Sequence, residues 1–400
     1  MQRIAAASLV TCLALMPMAC SDGEAGEDAN APARRAVLAS IGQNAVLPTY
    51  RDFETATGEL VAATSAYAAS LDPEDLTAAR DAWAAAIDIW QRAELMQFGP
   101  AGSTGAVGTP GGRDLRDHIY SWPNANPCRV DQETFERTYE DPTLLQAETV
   151  DAKGLDALEY LLFHEGSDNA CPSLSTINES GNWDALSAEQ KLQRRADYAE
   201  AASGLVHGRA QELLGAWEPE GENFLHELSE AGLESTVYGT SQEALNAVSD
   251  ALFYVDTDTK DMKIGEPAGI VDCLNDVCPA ALESDFARRS KEHVLNNLHG
   301  FALVFRGGPG DEPTSEGIDD LLTDLGPDAA TLATQMNTEL DEAIAAVEAV
   351  DGTFYDALTT DPTPVRTAHE AIRDLTTLYK SQFLALLDLS PPASAPADND

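Results

Sequence analysis

Asp156 and Glu159 are the residues of this chain whose spacing is best suited to shared chemistry. They lie three apart in the apolar run 153–163 (KGLDALEYLLF), and on a helix that spacing brings two side chains onto one face. Two carboxylates aimed into one pocket make a hard oxygen site suited to Fe³⁺, Ca²⁺ or Mg²⁺, whereas zinc hydrolysis normally combines imidazole ligands with an acid. The same pair also fits the first turn of a helix, where acids offset the helix dipole, and the sequence leaves both readings open. Glu94 is the next candidate, because its helix is otherwise apolar around Ile87, Trp90 and Leu95, and a buried carboxylate needs a partner. Arg92 or Arg116 would supply that partner and make Glu94 structural. Asp117 completes the expected metal set of Glu94, Asp117, Asp156 and Glu159. His118 follows Asp117 and is read as a satisfied polar residue, while His293 and His299, six apart, do not share a helix face closely. The chain has no His-Glu-x-x-His, nucleophile elbow or phosphate-cradling glycine loop. Ser103 and Ser290 lack a visible base, so no catalytic residue is assigned.

The elements that must position these residues are helices. Asp72-Pro73-Glu74-Asp75 is a helix start, with a cap followed by proline in the first turn. Apolar residues then recur at helical spacing from Leu76 through Trp83, Ile87 and Trp90 to Met96, until Gly99-Pro100 ends the run. Trp83, Trp90 and Trp122 are read as core residues. Ser187 with Gln190 and Thr240 with Glu243 are capping boxes. Further helices are expected over 284–305, 327–350 and 364–388, and no segment sustains strand alternation. The fold class is therefore all-α, with long loops at 99–112, 165–184 and 257–283. A mature length of about 380 residues is too much for one ordinary core and implies two domains. The expected division is a first domain over 34–218, a second over 219–389 with its boundary at Glu218-Pro219-Glu220-Gly221, and a disordered tail over 390–400.

The first nineteen residues give the address. Arg3, the apolar stretch from Ile4 to Met16, and Ala19 before Cys20 form a secretory signal peptide, too short to span a bilayer. Leu15-Met16-Pro17-Met18-Ala19-Cys20 resembles a bacterial lipobox, with Pro17 a poor match. Cys20 is then the lipidated first residue of the mature chain, and residues 20–33 a disordered tether. Ser21 in place of an aspartate makes the outer membrane the default, and a plain secretory signal cut near Ala19 is the alternative. Twenty-four basic against 68 acidic residues leave a net charge of −44, or −45 once Arg3 is removed with the leader. That load repels nucleic acid and anionic lipid surfaces. Spread along the whole chain with only six lysines, it fits a salty environment and is not by itself a sign of metal binding. Cys128, Cys171, Cys273 and Cys278 remain in the mature chain beyond the anchor. An even number in an exported protein reads as two disulfides, expected as Cys128–Cys171 and Cys273–Cys278. A four-cysteine zinc site is the rival, disfavoured because neither pair has the short knuckle spacing.

Three segments of the first half resemble successive motifs of the imelysin-like proteins: WAAAIDIWQRAELMQFGP (83–100), RDHIYSWPNANPCRVDQ (116–132) and KGLDALEYLLF (153–163). In the second half RRSKEHVLNNLHGFALVFRG (288–307) is similar to that family's Ser…Asn-Leu-x-Gly-Phe helix. The resemblance runs from about residue 40 to 390, in the family's order. It implies two helical-bundle domains of related fold, a bacterial envelope location and an association with iron acquisition. Members were first described as peptidases, and relatives act in ferrous-iron uptake. Many members carry Gly-x-His-x-x-Glu where this chain reads Gly154-Leu155-Asp156-Ala157-Leu158-Glu159, so the histidine has become an aspartate. The resulting expectation is an envelope-anchored lipoprotein that binds iron, or an iron-bearing ligand, for uptake. Its pocket would lie in the first domain and face the second. Membrane contact would be through the lipid alone, with an outer-membrane receptor or uptake complex as partner and no nucleic acid. The alternatives are a metallopeptidase using Glu159 as base, weakened by the missing histidine, and a docking component without a metal of its own.

Overall fold

A computed structural model describes residues 28–105, 109–179, 181–309 and 315–392; the leader, Cys20 and the tether to residue 27 lie outside the described residues, as does the tail from 393. The longer α-helices are α1 (Ala31–Ser40), α2 (Leu47–Ser70), α3 (Pro73–Ala93), α4 (Pro127–Glu136), α5 (Leu155–Phe163), α6 (Ala188–Trp217), α7 (Ser241–Leu252), α8 (Ser290–Phe305), α9 (Pro327–Glu348) and α10 (Thr363–Leu378). Among the described residues there is no strand, and no helix is long and apolar enough to cross a membrane.

Local chemistry sets the helix starts. Asp72 accepts the Glu74 N–H at 3.0 Å, and Pro73 takes the first helical position of α3, where no donor is needed. Ser187 and Gln190 exchange both bonds of a capping box at the start of α6. At Thr240 only half of the expected box forms: its hydroxyl accepts the Glu243 N–H at 3.1 Å, but the Glu243 carboxylate takes the Gly239 N–H at 2.8 Å. The helix expected from 284 begins only at Ser290. Residues 284–289 are held out of it because the Ser284 hydroxyl and the Ala287 N–H are spent on Glu159, and Arg288 turns left-handed at φ 59°.

In the first half α2 packs against α3 and α6, with α5 wedged against α3 and α6. In the second half α9 packs between α8 and α10, and the π-helical segment Val255–Gly265 lies against α8 and α10. That segment buries charge. Lys260 is 2.9 Å from Asp261 and 3.4 Å from Asp256, and Lys380 reaches Asp256 at 3.2 Å. The boundary expected at 218–221 falls in the turn between α6 and the short helix Phe224–Ser229. The halves join along α3 and α8, where Gly300 permits the closest approach: a Cβ there would sit 2.4 Å from the Arg92 carbonyl oxygen. The chain start also crosses over, since α1 packs on α7 and on the short helices Phe224–Ser229 and Ile318–Asp324. One hydrophobic core runs through both halves, with Trp83 and Trp90 inside it. Trp83 meets Phe163 edge-on and Trp90 packs on Phe53.

Both disulfides form as expected, Cys128–Cys171 and Cys273–Cys278. Cys128 belongs to the first turn of α4. Its bridge ties that helix to the long 165–184 connection.

Candidate functional site

The site is built on α5. Gly154 precedes the helix at φ 106°, and a Cβ there would come within 2.8 Å of the Ile119 carbonyl oxygen, so this close turn favours glycine. From it Asp156 and Glu159 emerge on one helical face, both buried, and both line a cleft of about 390 Å³ between the two halves. Trp122 and Pro123, joined by a cis peptide bond, form part of one wall, and Ala280 to Glu283 with Phe286 form part of the other. Asp151, Glu266 and Asp285 add three carboxylates to the lining, so the cleft is strongly acidic.

The two α5 carboxylates are held by neutral donors. Asp156 accepts the Ser121 hydroxyl at 2.8 Å and the Ser121 N–H at 3.3 Å. Glu159 accepts the Ser284 hydroxyl at 2.9 Å and the Ala287 N–H at 2.8 Å, both on Oε1. Burial disfavours the charged forms more than these bonds support them, which pushes Asp156 up to about 6 and Glu159 up to about 7. A hydroxyl and an amide cannot neutralise an anion, so neither group has an ion-pair partner among the described residues.

Glu94 is in the opposite situation. It is fully buried, and Arg116 grips it with Nη2 at 2.8 Å from Oε2 and Nε at 3.1–3.2 Å from both oxygens, while Gln97 donates at 3.1 Å. This is the partnered, structural arrangement. Asp117 is half exposed and 3.2 Å from Arg116 Nη1. Thus the structure brings Asp156 and Glu159 together, and neither Glu94 nor Asp117 lines their cleft. His118 is also outside the lining, with burial lowering its pKa. The described residues hold no group of three or more His, Cys, Asp or Glu side chains placed to share a cation.

Sequence reasoning missed a buried polar network next to Glu159. Lys263 Nζ lies 3.0 Å from Glu283 Oε1, 2.7 Å from Gln91 Oε1 and 2.8 Å from Asn297 Oδ1, with the rings of Trp122 and Tyr254 about it. Glu283 also accepts from the Tyr120 hydroxyl at 2.8 Å and faces His293 Nδ1 at 3.1 Å. Burial alone would raise Glu283, but Lys263 and His293 outweigh it and hold the carboxyl well below the usual range. The chemistry is positional. Glu283 is a fixed anion that raises Glu159, and His293 opposes it. One signal was available in the sequence: Ser290, His293 and Asn297 form a polar stripe, at helical spacing, through the apolar α8. Nothing local marks Lys263 or Glu283.

Comparison with known proteins places this architecture. A family model described as Imelysin matches residues 46–382. The chain is 24% identical over 346 residues to the iron-regulated protein A of Synechococcus elongatus, covering 86% of this chain and 83% of that one. Its fold is similar to that of an iron-regulated protein A precursor from Parabacteroides distasonis (TM-score 0.66, 19% identity, 91% of this chain and 96% of that one). It is also similar to an imelysin-like protein from Psychrobacter arcticum (TM-score 0.67, 17% identity, 91% and 98%). With the family model matching most of its length, and an all-α fold similar to these solved structures, this chain belongs to the imelysin family.

Proposed function

We propose that this protein is exported, anchored at the cell envelope through a lipid on Cys20, and binds an iron-bearing ligand for uptake in the acidic cleft over α5. The observation that carries the reading is the pair Asp156 and Glu159: two buried carboxylates facing a cleft, held by hydroxyls and amides and with no ion-pair partner among the described residues. A cationic guest would supply the missing charge, displacing protons that are bound in part near neutral pH. With fewer than three ligating side chains converging, a guest that brings donor atoms of its own fits better than a bare ion. Relatives carrying the name iron-regulated protein A, one of them a precursor, support an iron-linked role and export. Equilibrium dialysis of ferric citrate and of ferrous and calcium ions against wild type and Asp156→Asn/Glu159→Gln tests this. Iron retained by wild type and lost by the double variant is the expected result. Equal retention by both excludes the cleft, and no retention by either favours a docking role without a metal.

One observation favours a second reading. A carboxyl at about 7, as for Glu159, is poised for proton transfer, as a peptidase base would be. Cleavage of a peptide library by wild type and not by Glu159→Gln would establish it.

A further inference from the structure

A second cavity, of about 360 Å³, lies where α3 meets α8 and has the opposite chemistry. Arg92 from α3, His299 from α8 and Arg306, which caps the C-terminus of α8, converge on it, over a floor that includes Ala302, Leu303 and Pro309. Position in the fold explains the convergence. His299 and Leu303 share a face of α8 that Arg306, at its C-cap, continues at helical spacing, and Gly300 lets the α3 backbone touch α8 at Arg92. Against a net charge of −44, the described residues bring three basic side chains together here with one direct ion pair, Arg306 to the exposed Asp341.

The guanidiniums are held by amides. Arg92 Nε donates to Asn296 Oδ1 at 2.8 Å, and Asn296 is oriented by its own bond to the Glu292 carbonyl at 2.9 Å. Arg306 Nε donates to Asn337 Oδ1 at 2.7 Å, with Asn337 oriented by Asp319 at 2.9 Å. An asparagine anchor fixes the plane of a guanidinium without cancelling its charge. The Nη groups of Arg92 have no hydrogen-bond partner among the described residues. The acids nearby are peripheral: exposed Asp341 takes one Arg306 Nη at 2.8 Å, and Glu348 acts on His299 from a distance. Burial and the two arginines lower the pKa of His299 and outweigh Glu348, which acts to raise it.

We propose that this pocket binds a small oxyanion of charge −2 or more, a phosphate or a polycarboxylate, through the fork of Arg92, the free Nη of Arg306 and the ring of His299. Planar guanidiniums held in place suit two-oxygen recognition of such groups. The site is separate from the acidic cleft, and its occupancy does not depend on Asp156 or Glu159.

Inorganic phosphate and citrate, titrated separately into the purified chain by calorimetry at fixed ionic strength, test the proposal and distinguish the two sources. Saturable one-site binding by either anion is expected, with affinity reduced about 10-fold or more in Arg92→Gln/Arg306→Gln. The His299 ring, followed by NMR, should titrate at higher pH with the anion bound, and this shift should vanish in the double variant. Asp156→Asn/Glu159→Gln should bind the anion like wild type, whatever its behaviour toward iron. If Arg92→Gln disturbs folding, Arg306→Gln, at the partly exposed rim, carries the comparison alone. No saturable binding of either anion, or affinity unchanged by the arginine substitutions, would overturn it.

Discussion

Neutralising the α5 pair should stabilise the ligand-free protein at alkaline pH and leave it unchanged in mild acid. Both carboxyls are buried, and their folded values are raised, Asp156 from 3.8 to about 6 and Glu159 from 4.5 to about 7. A raised carboxyl favours the folded state while protonated, so the native protein loses stability as pH climbs from the unfolded value through the folded one. At about 1.4 kcal/mol per unit, each ionised group costs on the order of 3 kcal/mol above pH 8. The two together cost at most about twice that. Asn and Gln keep an acceptor for Ser121, Ser284 and Ala287 but introduce amide protons that need partners, which cancels part of the gain. The expected net effect for Asp156→Asn/Glu159→Gln is about 2–4 kcal/mol of added stability at pH 8.5, falling towards zero or below at pH 5. Urea unfolding with metal excluded, repeated from pH 5 to 8.5, measures it. A double variant less stable than wild type at pH 8.5, or one with the same pH slope, would refute the view that these are unneutralised buried carboxylates.

Three other outcomes follow from particular contacts. Arg116→Met strands Glu94 in the core and should cost about 3–5 kcal/mol, seen as a lowered urea midpoint, whereas replacing both partners with apolar residues should cost much less; equal losses would show that the pair itself is not what matters. Opening Cys128–Cys171, which closes 43 residues, should cost roughly 3–4 kcal/mol, and opening Cys273–Cys278, which closes 5, should cost less; unfolding of the two Cys→Ser pairs ranks them, and the reverse order would contradict the loop-closure argument. Cys20→Ala should release folded protein from the membrane fraction, since no described helix can span a bilayer; a variant still found with membranes would remove the lipid anchor from the account.

What the sequence made legible was whatever depends on neighbours along the chain. The cap at Asp72, the box at Ser187 and Gln190, and the shared face of Asp156 and Glu159 all rest on spacings of a few residues, and the structure has them. The short Cys273–Cys278 bridge is local in the same way. The start of α8 was misjudged because its deciding partner, Glu159, is 125 residues from Ser284, and nothing near Ser284 announces that its hydroxyl is already committed. Glu94 shows how far composition reaches: an acid in an apolar run needed a partner, and two arginines were eligible, but only the approach of the segment bearing Arg116 selects one. The network of Gln91, Tyr120, Lys263, Glu283, His293 and Asn297 was out of reach for a related reason. Its members come from five separate segments; the polar stripe of His293 and Asn297 on α8 shows in the sequence, but nothing along the chain links it to the others. Their burial is a consequence of joining the two halves.

The claim that the cleft over α5 receives iron is tested most directly by locating the iron. Crystals grown with ferric citrate, measured at the iron absorption edge, give its position by anomalous scattering. The account predicts a peak within about 2–2.5 Å of carboxylate oxygens of Asp156 or Glu159, absent from crystals of Asp156→Asn/Glu159→Gln. A peak elsewhere, or the same peak retained in the double variant, would contradict it.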